Sequence, residues 1–588
     1  MLGRVALAAS LTAVVAMLYA RFETASPPLA TVLNTSYDYI IVGAGSAGCV
    51  LASRLSESGD VTVLLVEAGN DDRGDERISV PGLAGLLHHS ERDWDYTTTT
   101  QRNGLEGLEN QKIYVPAGRV LGGSSSTNYM LYVRGHPQDY DQWAAQGGEG
   151  WSYKDVLPYF MKSEDAQDKH LKSGYHGTGG PLKVEVPYSG GRLADALLQA
   201  GQEMGLNVID SNADREEGVS LTQITARKGE RYSTSKAFLH PALHRRNLHV
   251  AVNTYVLFED KRALGVEMIR GHKKQVVLAR REVIVSAGAI GSPKLLLLSG
   301  VGPKQHLKDL GISVKADLPV GENHHDHVMF DYQVGLKQPL GRTPEDLTSL
   351  WTWVQLKLLG SGPLSNVGEE VQLFLSTSND SRRLQWPDVQ IMTVHGVWGT
   401  GLLNVLGHNK QTLQETAKRD QTKHGLVCIP IVLRPKSRGT LRLQSSDPYD
   451  DPLIDPNYFQ HPEDIATLVR GVRACQRLVA TPSLQALGAT EVDDPSEICV
   501  GQSAYNTDQY WACVVRRRAK SVFHHVGTCK MGGASDKTAV VGPQLKVRGL
   551  QNLRVVDASI IPTVPSGNTN AAVIMLAEKA ADMIRHQS

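Results

Sequence analysis

A glycine-rich loop between two apolar segments is the first part of the sequence with the residue types and spacing that chemistry needs. It is Gly43-Ala44-Gly45-Ser46-Ala47-Gly48, the pattern G-x-G-x-x-G, and Glu67 follows about 20 residues after the last glycine. Such a loop lets backbone N–H groups approach a pyrophosphate, and a carboxylate at that distance accepts hydrogen bonds from ribose hydroxyls. We therefore predict a dinucleotide site formed by Gly43, Gly45, Ser46, Ala47, Gly48 and Glu67.

This site requires a strand, a helix and a second strand around the loop. Tyr37 to Val42 and Val61 to Val66 are short runs rich in β-branched and apolar residues, and Cys49 to Leu55 has apolar residues at helical spacing. The resulting β-α-β unit is typical of a dinucleotide-binding fold. It leaves FAD and NAD as alternatives, whereas Glu67 would repel the 2′-phosphate of NADP.

Further segments rich in glycine, small residues or histidine follow along the chain. They are 118–128 (GRVLGGSSSTN), 284–293 (IVSAGAIGSP), 524–532 (HHVGTCKMG), 553–559 (LRVVDAS) and 568–570 (NTN). In this order, together with the first loop, they resemble the motifs of the GMC (glucose–methanol–choline) oxidoreductases from about Tyr37 to Arg585. Within that family the chain is most similar to the animal choline dehydrogenase-like and glucose dehydrogenase-like members.

The resemblance implies an α/β fold, with a discontinuous Rossmann-like FAD-binding domain and a substrate-binding domain whose antiparallel sheet is flanked by helices. Besides the first loop and Glu67, it places flavin contacts on Arg119, Val120, Gly122, Gly123, Asn128, Tyr129, Met130, Leu131, Ala287, Gly288, Asp557 and Ala558. Val256, in the strand-like segment from Leu248 to Phe258, matches a backbone contact of the family to the adenine end. The alternative for Val256 is a core valine.

The resemblance also implies oxidation of an alcohol CH–OH group by hydride transfer to N5 of FAD. His524 matches the family's catalytic histidine and would act as base, a role that an imidazole pKa of about 6.5 suits. Asn568 matches a family Asn or His position, and its amide would donate to the substrate oxygen. His525 stands where many members carry proline, and we interpret it as structural. Thr127 replaces a histidine that attaches FAD in some members, so we predict non-covalent FAD.

Two other functions compete with this one. An NAD-dependent dehydrogenase would use the first loop equally well, and a non-catalytic secreted binding protein could keep the GMC scaffold. The presence of both His524 and Asn568 favours alcohol oxidation. The expected partners are a choline- or sugar-like alcohol and an electron acceptor. An anionic group and aromatic faces would suit choline, and candidates are Glu369, Glu370, Trp351, Trp353 and Trp398.

The composition excludes several classes of protein. The 61 Lys and Arg residues balance 61 Asp and Glu residues over 588 positions, so no excess charge favours nucleic acid. With 41% hydrophobic and 21% charged residues, a multi-pass membrane protein and a disordered chain are also excluded. No metal site is predicted, because the histidine-rich segment Val320 to His327 matches the family's G-E-N-x-x-D-H loop. Cys499 and Cys513 either form a disulfide or remain separate thiols.

The N-terminal region predicts the compartment. Val5 to Ala20 is uncharged and mostly apolar, which indicates a signal peptide or a transmembrane anchor, followed by a linker up to residue 36. We therefore expect a secreted or membrane-anchored protein outside the cell or in a lumen, and two glycosylation sequons, at Asn34 and Asn379, agree with that. A mitochondrial presequence fits less well. The predicted FAD-binding domain covers 37–160, 215–330 and 515–588, and the substrate-binding domain covers 161–214 and 331–514.

Overall fold

The computed structural model contains two large β-sheets. It describes residues 29–30, 32–187, 191–214, 217–257, 264–270, 273–397, 400–419, 424–492 and 497–586. The predicted N-terminal signal or anchor segment and Trp398 lie outside the described residues. In these ranges, no helix is both long enough and apolar enough to cross a membrane.

The first sheet is the predicted dinucleotide-binding sheet. Its parallel strands are, in spatial order, Leu248–Ala251, Val63–Val66, Ser36–Val42, Lys273–Val285 and Leu553–Val555. The first half of the long strand Lys273–Val285 also pairs antiparallel with Gly265–Arg270, which pairs in turn with Thr254–Leu257. The strands Ser36–Val42 and Val63–Val66 are largely or wholly buried, because helices cover both faces of a parallel sheet.

The segment predicted as one strand from Leu248 to Phe258 is two strands, so that prediction was wrong. Leu248–Ala251 joins the parallel part of the sheet, and Thr254–Leu257 joins its antiparallel edge. Between them, Asn253 has a φ of 52°, in the left-handed region that asparagine adopts more readily than most residues, and the chain turns there. Phe258 lies outside the described residues.

The second sheet is mostly antiparallel. Six of its strands lie in the predicted substrate-binding ranges, whereas Gly218–Leu221, Val328–Met329 and Lys520–Ser521 lie in ranges predicted for the FAD-binding domain. Its strand order is Thr490–Glu491, Tyr332–Gly335, Gly425–Val432, Val389–His395, Glu369–Leu375, Gly218–Leu221 and Asn207–Val208, with Val328–Met329 and Lys520–Ser521 attached beside Gly425–Val432. Helices Arg192–Glu203 and Pro462–Val479 pack on one face and close a second apolar core. The opposite face of this sheet carries Phe374 and Gln390.

The remaining elements are helices and short two-stranded ladders. The other helices are Ser46–Leu55, Glu76–Ser79, Ser124–Thr127, Pro137–Ala145, Tyr153–Ser163, His240–Ala242, Gly288–Leu298, Lys304–Asp309, Pro344–Thr348, Leu350–Val354, Asn379–Leu384, Thr400–Val405, Lys410–Arg419, Pro482–Gln485, Glu497–Val500, Asp508–Arg518 and Thr569–His586. The ladders are Tyr96–Thr97 with Tyr114–Val115, Glu164–Ala166 with Leu182–Val184, Ala226–Arg227 with Glu230–Arg231, and Thr440–Arg442 with Leu453–Asp455.

Two disulfides lie in the second region. Cys499 bonds to Cys513, which decides between the two alternatives left by the sequence. Cys428 bonds to Cys475 and ties strand Gly425–Val432 to helix Pro462–Val479, a link that the sequence did not predict. Cys49 and Cys529 are buried thiols in the first region.

Candidate active site

Three backbone loops converge at the carboxyl end of the parallel strands. The Gly43–Gly48 loop follows strand Ser36–Val42, the N–H of Gly122 donates to the carbonyl of Ala44 (2.7 Å), and Ser286 follows the neighbouring strand. A Cβ on Gly43 would lie 2.4 Å from the Ser286 oxygen, and one on Gly123 would lie 2.7 Å from Cα of Gly45. Only glycine permits these approaches, so the loops form the close-walled cradle that the sequence predicts for a pyrophosphate.

Glu67 lies beside this cradle. Its carboxylate accepts the N–H of Ala44 (2.8 Å) and the N–H of Gly69 (2.7 Å), and burial raises its pKa to about 7. The N–H of Thr254 donates to the Glu67 carbonyl, which sets the Thr254–Leu257 strand, and with it the backbone of Val256, next to Glu67. The adenine-end contacts expected from the resemblance therefore come from neighbouring segments.

The C-terminal motif residues are tied to the same edge of the sheet. Asp557 accepts hydrogen bonds from the N–H of Gly288 (2.9 Å) and from the hydroxyl of Ser292, so the predicted pairs Ala287-Gly288 and Asp557-Ala558 are neighbours. The hydroxyl of Ser46 donates to Oδ1 of Asn570 (2.7 Å), at the start of the last helix. Residues far apart in sequence therefore meet at one site.

The predicted flavin contacts between Arg119 and Leu131 include several residues whose side chains are already buried or engaged. Val120, Met130 and Leu131 bury their side chains, whereas the Tyr129 hydroxyl lies 2.8 Å from Nε2 of His88. Arg119 places its guanidinium over the ring of Trp94. The predicted contacts from this segment would thus be backbone groups, with Asn128 and Tyr129 as the polar side chains.

A buried arginine supports an anionic cofactor at the loop. Arg231 donates to the carbonyls of Ile78 (2.7 Å) and Ser125 (3.2 Å) and to Oδ1 of Asn128 (2.8 Å). In the described residues no carboxylate pairs with it, whereas buried Arg134 pairs with Glu164. Burial lowers the pKa of Arg231 to about 9. Because a buried cation without a counter-ion is costly, the cradle and Arg231 together fit FAD, which carries a pyrophosphate.

His524 and Asn568 come together, as predicted from the resemblance. Strand Lys520–Ser521 pairs with Val328–Met329, so the chain after it runs beside the loop before it. His524 donates its backbone N–H to Asp326 (2.7 Å), and its Nε2 lies 3.3 Å from Nδ2 of Asn568. Burial, reinforced by the neighbouring imidazoles His327 and His525, holds the pKa of His524 well below its usual value. His524 is therefore neutral near pH 7, the form in which an imidazole has a lone pair that can accept a proton.

The histidine-rich loop supplies neighbours for both His524 and His525. Nδ1 of His327 lies 2.9 Å from Nδ1 of His524, and Nε2 of His324 lies 3.0 Å from Nδ1 of His525. The sequence analysis interpreted this loop as structural and missed the contact of His327 with His524. In the described part of the chain, no group of three or more His, Cys, Asp or Glu side chains is arranged to hold a metal ion.

The second sheet reaches the pair His327 and His524 through an apolar contact at Leu433. Phe374 packs with Val133 and Leu433, and the carbonyl of Leu433 lies 3.0 Å from Nε2 of His327. Phe374 is directly opposite Gln390 in the ladder, and Gln390 donates to Gln372 (2.9 Å). The sheet face that carries Gln372, Phe374 and Gln390 thus reaches the neighbourhood of His327.

Comparison with known proteins gives one consistent family. The family model described as GMC oxidoreductase matches residues 37–329 with its N-terminal part and 435–577 with its C-terminal part. Glucose dehydrogenase [FAD, quinone] of Drosophila melanogaster is 39% identical over 93% of this chain and 87% of its own length. Mitochondrial choline dehydrogenase of Homo sapiens is 39% identical over 94% of this chain and 90% of its own length.

Solved structures agree with the sequence comparisons. Formate oxidase of Aspergillus oryzae RIB40 superposes with a TM-score of 0.81 at 27% identity, covering 95% of this chain and 99% of that one. Pyridoxine 4-oxidase of Mesorbium loti gives a TM-score of 0.78 at 28% identity, covering 93% and 99%. The predicted fold class, a Rossmann-like region plus a separate sheet-rich region, is confirmed by these likenesses.

Proposed function

Because this chain belongs to the GMC oxidoreductase family, we propose that it oxidises its alcohol with His524 as the base and Asn568 as the hydrogen-bond donor to the substrate oxygen. The protein is an FAD-dependent oxidoreductase that acts on the CH–OH group of alcohols and passes electrons to an acceptor. FAD, when bound, supplies the acceptor for the hydride.

The observation that carries the proposal is the pair His524 and Asn568 in a buried site. An alcohol oxygen that lies within hydrogen-bond distance of both His524 Nε2 and Asn568 Nδ2 would receive a hydrogen bond from the amide and give its proton to the imidazole. The remaining alkoxide weakens the C–H bond on its carbon, from which the hydride leaves. Because His524 is buried, water is kept from competing for the imidazole.

Replacement of His524 tests the proposal. Flavin reduction in His524→Gln under anaerobic conditions should be slower by roughly 10²–10⁴-fold, the usual contribution of a positioned base. Bound FAD, measured by its visible absorbance, should be retained because the cradle is formed by other segments. A rate close to that of the wild type would show that His524 is not the base.

The comparisons support the flavin enzyme over the other two functions considered. The relatives named above include enzymes described with FAD, and the family as a whole is one of oxidoreductases. They give no support to an NAD-dependent dehydrogenase or to a non-catalytic binding protein. Anaerobic addition of substrate should bleach the yellow protein without added NAD, and a requirement for NAD would contradict this function.

We propose that FAD is held without a covalent bond. Thr127 ends the short helix Ser124–Thr127 in the segment where some members of the family attach the flavin through histidine. A threonine hydroxyl lacks the ring nitrogen that this attachment uses. Acid precipitation should therefore leave a colourless protein pellet and a yellow supernatant, and a yellow pellet would contradict the proposal.

The substrate that the site favours is an uncharged alcohol with several hydroxyl groups. Gln372 and Gln390 are buried on the same sheet face as Phe374, and the Ser220 and Thr222 hydroxyls are buried without a partner among the described residues. By contrast, Trp351 is 66% exposed whereas Glu369 is buried, which gives no support to a choline-binding pocket formed by these two residues. Glucose should reduce the flavin faster than choline under anaerobic conditions; the reverse order would contradict this choice. Repeating the screen with oxygen and with a quinone identifies the acceptor.

We also propose that the protein folds in an oxidising compartment, as expected of a secreted or lumenal protein. Both disulfides support this, because such bonds are rare in reducing compartments. Asn34 and Asn379 are exposed, so glycans could attach at either sequon. Expression of the full chain in animal cells should yield glycosylated, disulfide-bonded protein. Unglycosylated protein in the mitochondrial fraction would contradict the proposal.

A further inference from the structure

We propose that His327 is a positioning residue that holds His524 in the tautomer with its proton on Nδ1, so that Nε2 is the nitrogen free to take the substrate proton. The inference rests on the proposed function, because it concerns the same base. It follows from three contacts whose donors and acceptors constrain one another: the Leu433 carbonyl with His327, His327 with His524, and His524 with Asn568.

The chain of contacts starts at a backbone carbonyl. Nε2 of His327 lies 3.0 Å from the oxygen of Leu433, and a carbonyl oxygen only accepts. Nε2 of His327 must therefore carry a hydrogen. Burial lowers the pKa of His327 to about 4, so near neutral pH the ring carries one proton only. Nδ1 of His327 then has a lone pair and acts as an acceptor.

The next contact transfers this constraint to His524. The two Nδ1 atoms are 2.9 Å apart, and the ring planes meet at 79°. Because Nδ1 of His327 accepts, Nδ1 of His524 must donate; otherwise two lone pairs would face each other in a buried site. His524 is also neutral, so its single ring hydrogen lies on Nδ1 and its Nε2 has the lone pair.

The third contact independently requires the same tautomer. Nδ2 of Asn568 lies 3.3 Å from Nε2 of His524, and an amide nitrogen only donates. A hydrogen on Nε2 of His524 would point at that amide group and repel it. The constraints from Leu433 and from Asn568 therefore agree, although they act at opposite ends of the chain of contacts.

His327 also affects the charged state of the base. When His524 takes the substrate proton, both ring nitrogens carry hydrogen, and the Nδ1–H bond to His327 is retained and strengthened by the charge. The groups that face His524 are His327, His525, Asn568 and Asp326, whose carboxylate accepts the backbone N–H of His524. Loss of the acceptor at position 327 should thus release the tautomer of His524 and remove this bond from its charged form.

Two substitutions at position 327 separate these effects from packing. In His327→Asn, the amide oxygen can take the place of Nδ1 and still accept from His524, while the contact with Leu433 is lost. In His327→Gln, the longer amide can still donate to Leu433, but no acceptor remains at the place of Nδ1. The holoenzymes should retain FAD, because His327 does not belong to the cradle.

The measurement is the rate of anaerobic flavin reduction at saturating glucose, or at the best alcohol found in the substrate screen, from pH 5.5 to 10. His327→Gln should lose at least about tenfold in the pH-independent plateau, since a base in the wrong tautomer loses much of its usual 10²–10⁴-fold contribution. His327→Asn should keep a plateau near that of the wild type.

Equal rates in the two variants, whether both fast or both slow, would overturn the inference. If either variant fails to retain FAD, the ¹⁵N spectrum of histidine-labelled wild-type holoenzyme, compared with that of His524→Gln, decides. A protonated Nδ1 and an unprotonated Nε2 at His524 support the inference, and the reverse overturns it. A slow His524→Gln variant beside a fast His327→Gln variant would remove this inference and leave the proposed function intact, whereas a fast His524→Gln variant would remove the proposed function.

Discussion

The same two chain segments carry two histidine pairs, and the pairs differ in what surrounds them. His524 with His327 and His525 with His324 are joined at almost the same distance, 2.9 Å and 3.0 Å. In the first pair, the outer nitrogens meet the Leu433 carbonyl and the Asn568 amide. In the second, the outer nitrogen of His525 lies 3.7 Å from Asp326, beyond hydrogen-bond distance. Under the proposed function, this difference assigns the role of base to the imidazole whose outer nitrogen faces Asn568, and pairing with a second imidazole alone does not confer it.

The largest change in the rate of flavin reduction that tests this comparison is expected from replacing Asn568. Asn568→Leu removes the donor to the substrate oxygen and should slow flavin reduction by about 10²-fold, the usual effect of losing one such donor. The control is Asn247→Leu, because Asn247 donates to the Ser56 and Val61 carbonyls at the other end of the parallel strands and contacts no group at His524. Stopped-flow measurement on both holoenzymes should show the rate loss in Asn568→Leu only. Equal rates in the two variants would contradict the role of Asn568.

A smaller effect, on stability rather than on rate, is expected at the second pair. His525→Phe leaves Nε2 of buried His324 without its partner, which should lower the free energy of unfolding by about 1–3 kcal/mol. The rate of flavin reduction should stay close to that of the wild type. Urea unfolding and stopped-flow reduction test both statements. A variant that is fully stable but slow would reverse the roles assigned to the two pairs.

The smallest effect is a pH dependence of stability. Burial lowers the pKa of His324 and of His525 to about 3, against about 6.5 in the unfolded chain. The unfolded state therefore binds protons that the folded state does not, so stability is complete above about pH 6.5 and is lost as pH falls below it. Each such histidine contributes a slope of about 1.4 kcal/mol per pH unit between its two pKa values.

Urea unfolding at pH 7.5, 6.5 and 5.5 checks this prediction. His176 lies between Glu164 and Asp210, and these carboxylates raise its pKa despite the opposing effect of burial. Its protonation therefore stabilises the folded state as pH falls, equally in the wild type and in His525→Phe. The difference between the wild type and His525→Phe isolates the second pair. The variant should lose less stability than the wild type between pH 6.5 and 5.5, and an unchanged slope would contradict the account.

The sequence was sufficient where the signal is local. The strand, loop and helix from Ser36 to Leu55 are adjacent in the chain, and the glycines of the loop are required by approaches of a few ångströms. His524 and Asn568 could be named because they match family motifs, not because their spacing predicts contact. Val256 was placed in one strand from Leu248 to Phe258, which the turn at Asn253 divides.

The remaining features depend on contacts between distant segments. His327 and His524 are 197 residues apart, and only the pairing of Val328–Met329 with Lys520–Ser521 brings them together. Arg231 looks like any other charged residue in the sequence, and its importance follows from burial without a carboxylate partner among the described residues. Similarly, the Cys428–Cys475 disulfide requires a strand and a helix to be packed before their cysteines meet.

A crystal structure of the holoenzyme with an alcohol bound tests the central claim most directly. The account predicts that the alcohol oxygen lies within hydrogen-bond distance of both His524 Nε2 and Asn568 Nδ2, with its carbinol carbon facing the bound FAD. An isoalloxazine ring bound away from His524, or an alcohol whose oxygen is held by other groups, would contradict it.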